Sequence, residues 1–144
     1  MKYNKALKIT LICFLISITA TFAQTPQGFN YQGVARDNTG NAVENQNISL
    51  RFTILLGSSS GTTIYTETHS TTTNDFGLFT VVIGEGNTSY DFSAIDWAAS
   101  GDKWLKVEMD ENGGSSYTLI GNNQLLSVPY ALYAKNSGNG TSQW

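Results

Sequence analysis

The sequence predicts an all-β chain, folded as a Greek-key β-sandwich that closes with a short C-terminal helical turn. Short runs rich in Val, Ile, Thr and aromatic residues recur from Phe29 onward, each bounded by Gly, Asn, Asp or Ser. That spacing belongs to sandwiches and barrels rather than to βαβ units. Two runs, Asn47 to Leu55 and Lys103 to Met109, alternate apolar and polar residues with the period of a half-buried strand. The composition agrees: of 144 residues 40% are hydrophobic, 12% aromatic and only 13% charged, enough apolar surface for one core and too little charge for disorder. This length accommodates a single domain and excludes a multidomain enzyme.

Residues 1–23 read as a secretory signal peptide. Lys2, Lys5 and Lys8 precede an apolar stretch from Ile9 to Ile18, followed by Thr21 and Ala23 as small residues before a cut between Ala23 and Gln24. Ile9 to Ala23 falls short of the roughly 20 apolar residues that span a bilayer. Cys13, the single cysteine, leaves with this segment, so the mature chain has no disulfide or thiol chemistry. Cleavage also removes three lysines and no acid, lowering the net charge from −3 to about −6. An acidic surface argues against nucleic acid and anionic membranes as partners, and no membrane insertion is expected after signal removal.

The mature chain reads as a sandwich module over 24–135 and a flexible Gly/Asn/Ser-rich linker over 136–144, leading toward a further C-terminal region. Phe29 to Arg36 is the first strand, stopped by the turn residues Asp37 to Asn41. In the second, Ile48, Leu50, Phe52 and Ile54 face the core while Asn47, Ser49, Arg51 and Thr53 face water. After the Gly57 to Gly61 connection, Thr62 to Thr72 carries six threonines and reads as a long, wetter strand. Asn74 and Asp75 turn the chain into Phe76 to Ile83, the most apolar run and the expected central strand. Tyr90 to Trp97 suggests a short helical turn capping the sandwich. Lys103 to Met109 points Leu105, Val107 and Met109 inward, and Trp104, Lys106 and Glu108 outward. A hairpin loop from Asp110 to Gly114 leads to Ser116–Ile120, and the segment from Asn123 begins as a strand before turning helical at Pro129.

Catalytic chemistry finds little material. The single histidine, His69, shares a strand face with Glu67, but two ligands fall short of a zinc site, and it reads as a solvated strand histidine. Asp91, Asp96, Asp102, Asp110 and Glu111 are oxygen donors of the kind calcium takes, yet their spacing matches no calcium loop, and they read as solubilising loop ends. No cofactor is expected. Trp104, on the hydrated face of its strand, is the best candidate for stacking on a sugar ring, with Trp97 as a companion.

Three stretches carry a resemblance: Gly28-Phe-Asn-Tyr-Gln-Gly-Val-Ala-Arg-Asp37, Thr71-Thr-Thr-Asn-Asp-Phe-Gly-Leu-Phe79 with Ile83-Gly84, and Leu125-Leu-Ser-Val-Pro-Tyr-Ala-Leu-Tyr-Ala-Lys135. Together they resemble the N-terminal module of secreted tail-fibre-like and collagen-like surface proteins of Bacteroidetes-type bacteria. The strand grammar is also similar to that of carboxypeptidase-regulatory-like, transthyretin-like and Ig-like sandwiches. The resemblance implies a non-catalytic structural or adhesion module, secreted or held at the cell surface, heading a longer fibre. It also implies a homotrimer through a C-terminal stalk. Leu125, Leu126, Val128, Pro129, Tyr130, Leu132 and Tyr133 are then candidates either for packing back on their own sandwich or for an interchain contact where the stalk begins. The rival from another class is a carbohydrate-binding module using Trp104 and the loop acids on a surface glycan.

Overall fold

The structure is a computed structural model that describes residues 28–126. Six strands form: β1 (Phe29–Val34), β2 (Asn47–Leu56), β3 (Thr62–Thr72), β4 (Leu78–Ile83), β5 (Lys103–Asp110) and β6 (Thr118–Gln124), with one 3₁₀ turn at Phe92–Ala94 between β4 and β5. They make two antiparallel sheets packed face to face, one of order β3-β2-β5-β6 and one of β1-β4. β5 returns to lie beside β2 after the chain has passed through β3 and β4. This is the Greek-key path, with β4 carried across the corner into the second sheet.

β2 is central because it is long and apolar along its inner face: Ile48, Leu50, Phe52 and Ile54 are fully buried. Phe52 meets Tyr31 edge-on at 5.0 Å and is faced across the sandwich by Phe79, Val81 and Ile83 in the same core cluster. Leu105, Val107 and Met109 of β5 complete that layer, as alternation predicted.

Two expectations are corrected. The most apolar run is not central: β4 pairs only with β1, and on its outer face Leu78 and Val82 are half-covered while Thr80 between them is exposed. An apolar run alone does not distinguish a strand flanked on both sides from one with a partly shielded outer face. Nor does all of the second face of β2 meet water: Asn47 is exposed and Arg51 partly so, as alternation predicted, but the other two residues are closed off. Ser49 and Thr53 are buried, because side chains on both neighbouring strands close over them, Thr66 lying 3.2 Å from the Thr53 hydroxyl.

Four strands face two, so part of the large sheet's inner face is left for a loop to cover. Residues 88–102 do this: Phe92 lies edge-on to Tyr65 at 5.1 Å and 6.3 Å from Phe29, and Ile95 joins the core. Asp91 caps the 3₁₀ turn, accepting from the Ser93 amide at 2.8 Å. Lys103 points its ammonium into the same loop, donating to the carbonyls of Ala99 and Gly101. Phe29 enters beneath this loop, and Leu125 leaves by donating its N–H to the Lys103 carbonyl at 2.8 Å. The described chain therefore begins and ends at one pole of the sandwich.

Candidate functional site

Tyr65, Glu67 and His69 occur at every second position of β3 and so project from one face. On this edge strand the face turns toward the corner where β4 ends in Gly84-Glu85-Gly86. Glu67 is 1% exposed, yet its carboxylate is fully engaged. It accepts from the Tyr65 hydroxyl at 2.7 Å, from the Gly86 amide at 2.8 Å, and from the Gly84 amide at 3.0 and 3.1 Å through its two oxygens. His69 Nε2 lies 3.1 Å from Oε1, while its ring meets Phe52 edge-on at 5.6 Å. Burial pushes the Glu67 carboxyl up, but hydrogen bonds from His69, Tyr65, Gly86 and Gly84 outweigh it and hold the group below its ordinary value. The Tyr65 phenol is pushed well up by burial and by the adjacent Glu67.

A carboxylate whose lone pairs already accept from the protein's own donors is a fastener rather than a general base. It ties β3 to the end of β4, reinforced by paired backbone bonds between Thr68 and Asn87. The pairing of His69 with Glu67 was legible from the strand period; its burial was not. His69 is a part-buried histidine bonded to Glu67 and packed on Phe52, not a solvated one. The signal that could have revealed it is a Tyr-x-Glu-x-His run facing a Gly-x-Gly turn, where backbone amides are bare.

The loop acids do not converge. Asp91 accepts from Ser93, Asp96 from the Ala98 and Ala99 amides, and Asp110 from the amides of Asn112 and Ser116, so each shapes its own turn. Asp102 precedes β5 and Asp110 ends it, roughly 26 Å apart at the rise of a strand. Among the described residues no three His, Cys, Asp or Glu side chains gather as metal ligands. On the outer face of the large sheet, Arg51 donates to Glu108 at 2.8 Å and covers the Tyr117 ring at 4.5 Å. The Arg51 hydrogen bond is the main reason the Glu108 carboxyl lies below its ordinary value.

Trp104 stands on that outer face as alternation predicted, but it is half-buried and its indole N–H is covered without a partner among the described residues. Trp97 is the more open ring, 46% exposed and resting on Phe92 at 5.7 Å. Near it the covering loop and the large sheet enclose a cleft of about 280 Å³, walled by Leu56, Ile64, Tyr90, Ala94, Ile95 and Ala99, with Asp91 and Asp96 also lining it. A second, wider groove of about 550 Å³ lies between Ile120 of β6 and Val34 with the Arg36–Gly40 turn.

Leu125 packs against the core, whereas Leu126 is 77% exposed. The remaining candidates, Val128, Pro129, Tyr130, Leu132 and Tyr133, lie outside the described residues, as do the helical turn at Pro129, the linker and the Ala23/Gln24 cut. Among the described residues no helix is long and apolar enough to cross a membrane. A family model for a domain of unknown function, DUF8740, matches residues 30–125. No curated protein and no solved structure matches the chain.

Proposed function

The chain belongs to the DUF8740 family, and with that as premise we propose that it is a non-catalytic structural or adhesion module of a secreted or cell-surface protein, heading a longer fibre-like chain. The observation that supports this best is the Glu67 hub. The chain's one histidine and its most deeply buried carboxylate are both engaged in joining the two sheets, a use that favours a rigid support over chemistry. The leader-like residues 1–23 and the acidic mature charge support an extracellular setting. The test is an antibody to residues 24–144 used on cell, envelope and medium fractions of the native producer. A product outside the inner membrane, heavier than 15.6 kDa, is expected; a cytoplasmic product overturns the reading.

Glycan binding is a second reading, favoured by one observation: Tyr90 and the carboxylates of Asp91 and Asp96 line the cleft, with the open Trp97 ring beside it. On this reading Trp97→Ala abolishes retention on a glycan array, while Trp104→Ala leaves it intact. Flat binding of the unaltered module to the whole array removes it.

A further inference from the structure

The cleft under the 88–102 loop joins an aliphatic floor to an unbalanced charge at its rim. Leu56 and Ile64, from the β2-β3 hairpin, and Ile95 from the loop make the floor, while Tyr90, Asp91 and Asp96 stand exposed at the edge. Both carboxylates are only half engaged. Asp91 accepts from the Ser93 amide at 2.8 Å and the Ser93 hydroxyl at 2.6 Å, and Asp96 from the Ala98 and Ala99 amides at 2.9 Å, in every case through Oδ1. Among the described residues neither Oδ2 accepts a hydrogen bond. The bonds from Ser93 hold the Asp91 carboxyl below its ordinary value, so it is charged at neutral pH. No Lys, Arg or His lines the cleft, and Lys103, which reaches into the same loop, donates its ammonium to the Ala99 and Gly101 carbonyls.

We propose that this cleft binds a small organic ammonium ion, its apolar body on Leu56, Ile64 and Ile95 and its charged nitrogen at the carboxylates of Asp91 and Asp96. Charge selects this occupant. An anion is repelled by both acids, and a neutral sugar sets hydroxyls against the aliphatic floor, where they find no partner. An ammonium carries three N–H donors and no acceptor, which matches two carboxylates that each keep a free oxygen. The exposed Tyr90 ring adds a face on which a cation can rest. At about 280 Å³ the cleft falls just below the roughly 300–1,000 Å³ of drug-sized pockets, room for one ring or a short branched chain. The ammonium site is independent of the surface-module reading and competes with the glycan reading for one cleft, so its test includes a sugar.

The experiment is calorimetric titration of residues 24–144 with 2-phenylethylammonium, neutral 2-phenylethanol, Nα-acetyl-lysine amide and methyl glucoside, with amide chemical-shift mapping by NMR. Saturable binding of 2-phenylethylammonium is expected, roughly tenfold or more tighter than the alcohol, with the largest shifts at Ala94, Ile95 and Ala99. Replacing Asp91→Asn and Asp96→Asn together keeps an Oδ1 to accept from each turn while removing the charge. That variant should lose the preference for the ammonium and keep its far-UV circular dichroism. Ala94→Lys, at an exposed lining position outside the strands, should place an ammonium of the chain's own in the cleft and block binding. Equal affinity for ammonium and alcohol, or no binding of either, overturns the site, as does tighter binding of the glucoside. Tighter binding of the lysine amide than of 2-phenylethylammonium overturns the small-molecule assignment in favour of a lysine side chain on another protein.

Discussion

The two long sides of the sandwich are closed in opposite ways. Where β3 meets β4, a buried carboxylate collects donors from its own strand and from the Gly84–Gly86 turn and bridges the sheets. On the side of Val34 and Ile120 the groove is lined by the Arg36–Gly40 turn rather than bridged by a buried group, and Val34, Leu119 and Ile120 stand 43–61% exposed beside the groove or on the β6 edge. The contrast shows where the specificity of the fold resides. The first side admits one arrangement of its atoms, because each donor aimed at Glu67 would otherwise be buried and unsatisfied.

Removing the fastener should break this contrast most strongly. Glu67→Ala strands the Tyr65 hydroxyl and the Gly84 and Gly86 amides, and a loss of about 3 kcal/mol or more in unfolding free energy is expected from urea denaturation. A midpoint within error of the parent would mean that the corner is not under tension from unmet donors. Gly86→Ala comes next. A Cβ there would lie 2.6 Å from His69 Nε2 and 2.8 Å from Glu67 Oε2, so the turn or the hub must shift, at a cost of about 1–3 kcal/mol in the same assay.

Acid should act on the same corner. Because the folded Glu67 carboxyl lies below its unfolded value, the stabilisation it gives is complete above the ordinary 4.5 and is lost as the pH falls through the folded value. Melting temperature should therefore decline below about pH 4.5, and Glu67→Gln should flatten that decline; an equally steep fall in the variant would assign it to other acids, with Glu108 shifted in the same direction. The smallest effect belongs to the open side. Leu119→Lys, on a residue 61% exposed, should change unfolding free energy by less than about 0.5 kcal/mol, and a larger loss would show that this edge is covered in solution.

The sequence made the two sides unequally legible. Strict alternation in β2 and β5 identified Leu50, Phe52, Leu105 and Val107 as core, because a period of two leaves only one face to bury. The 3₁₀ turn inside Tyr90 to Trp97 was also expected, from a run that mixes Phe92, Ile95 and Trp97 with Asp91 and Asp96. Strand order was not: the apolar run at β4 looked central, and only the register with β1 and the crossover to the second sheet made it peripheral. The candidate site was half readable. The period put Glu67 and His69 together, but the amides that make a buried carboxylate tolerable come from Gly84 and Gly86, 17 and 19 residues away, and no local pattern announces such a meeting. Trp104 illustrates the opposite limit, since the outward direction was correct while the cover over its indole nitrogen depends on neighbours.

The shared pole of Gly28 and Leu126 has a mechanical consequence. A load applied between these two points enters through β1 at Phe29, paired with Ile83, and through β6 at its last bond to Lys103, both of them edge strands. It therefore peels ladders open one hydrogen bond at a time instead of shearing many together. Tethered by these residues in an optical trap, the module should yield at low force, and tethered across its long axis, from Leu126 to Asn112, it should resist far more. A domain tethered at these two points hangs beside the line of the pull, as a pendant and not as a link.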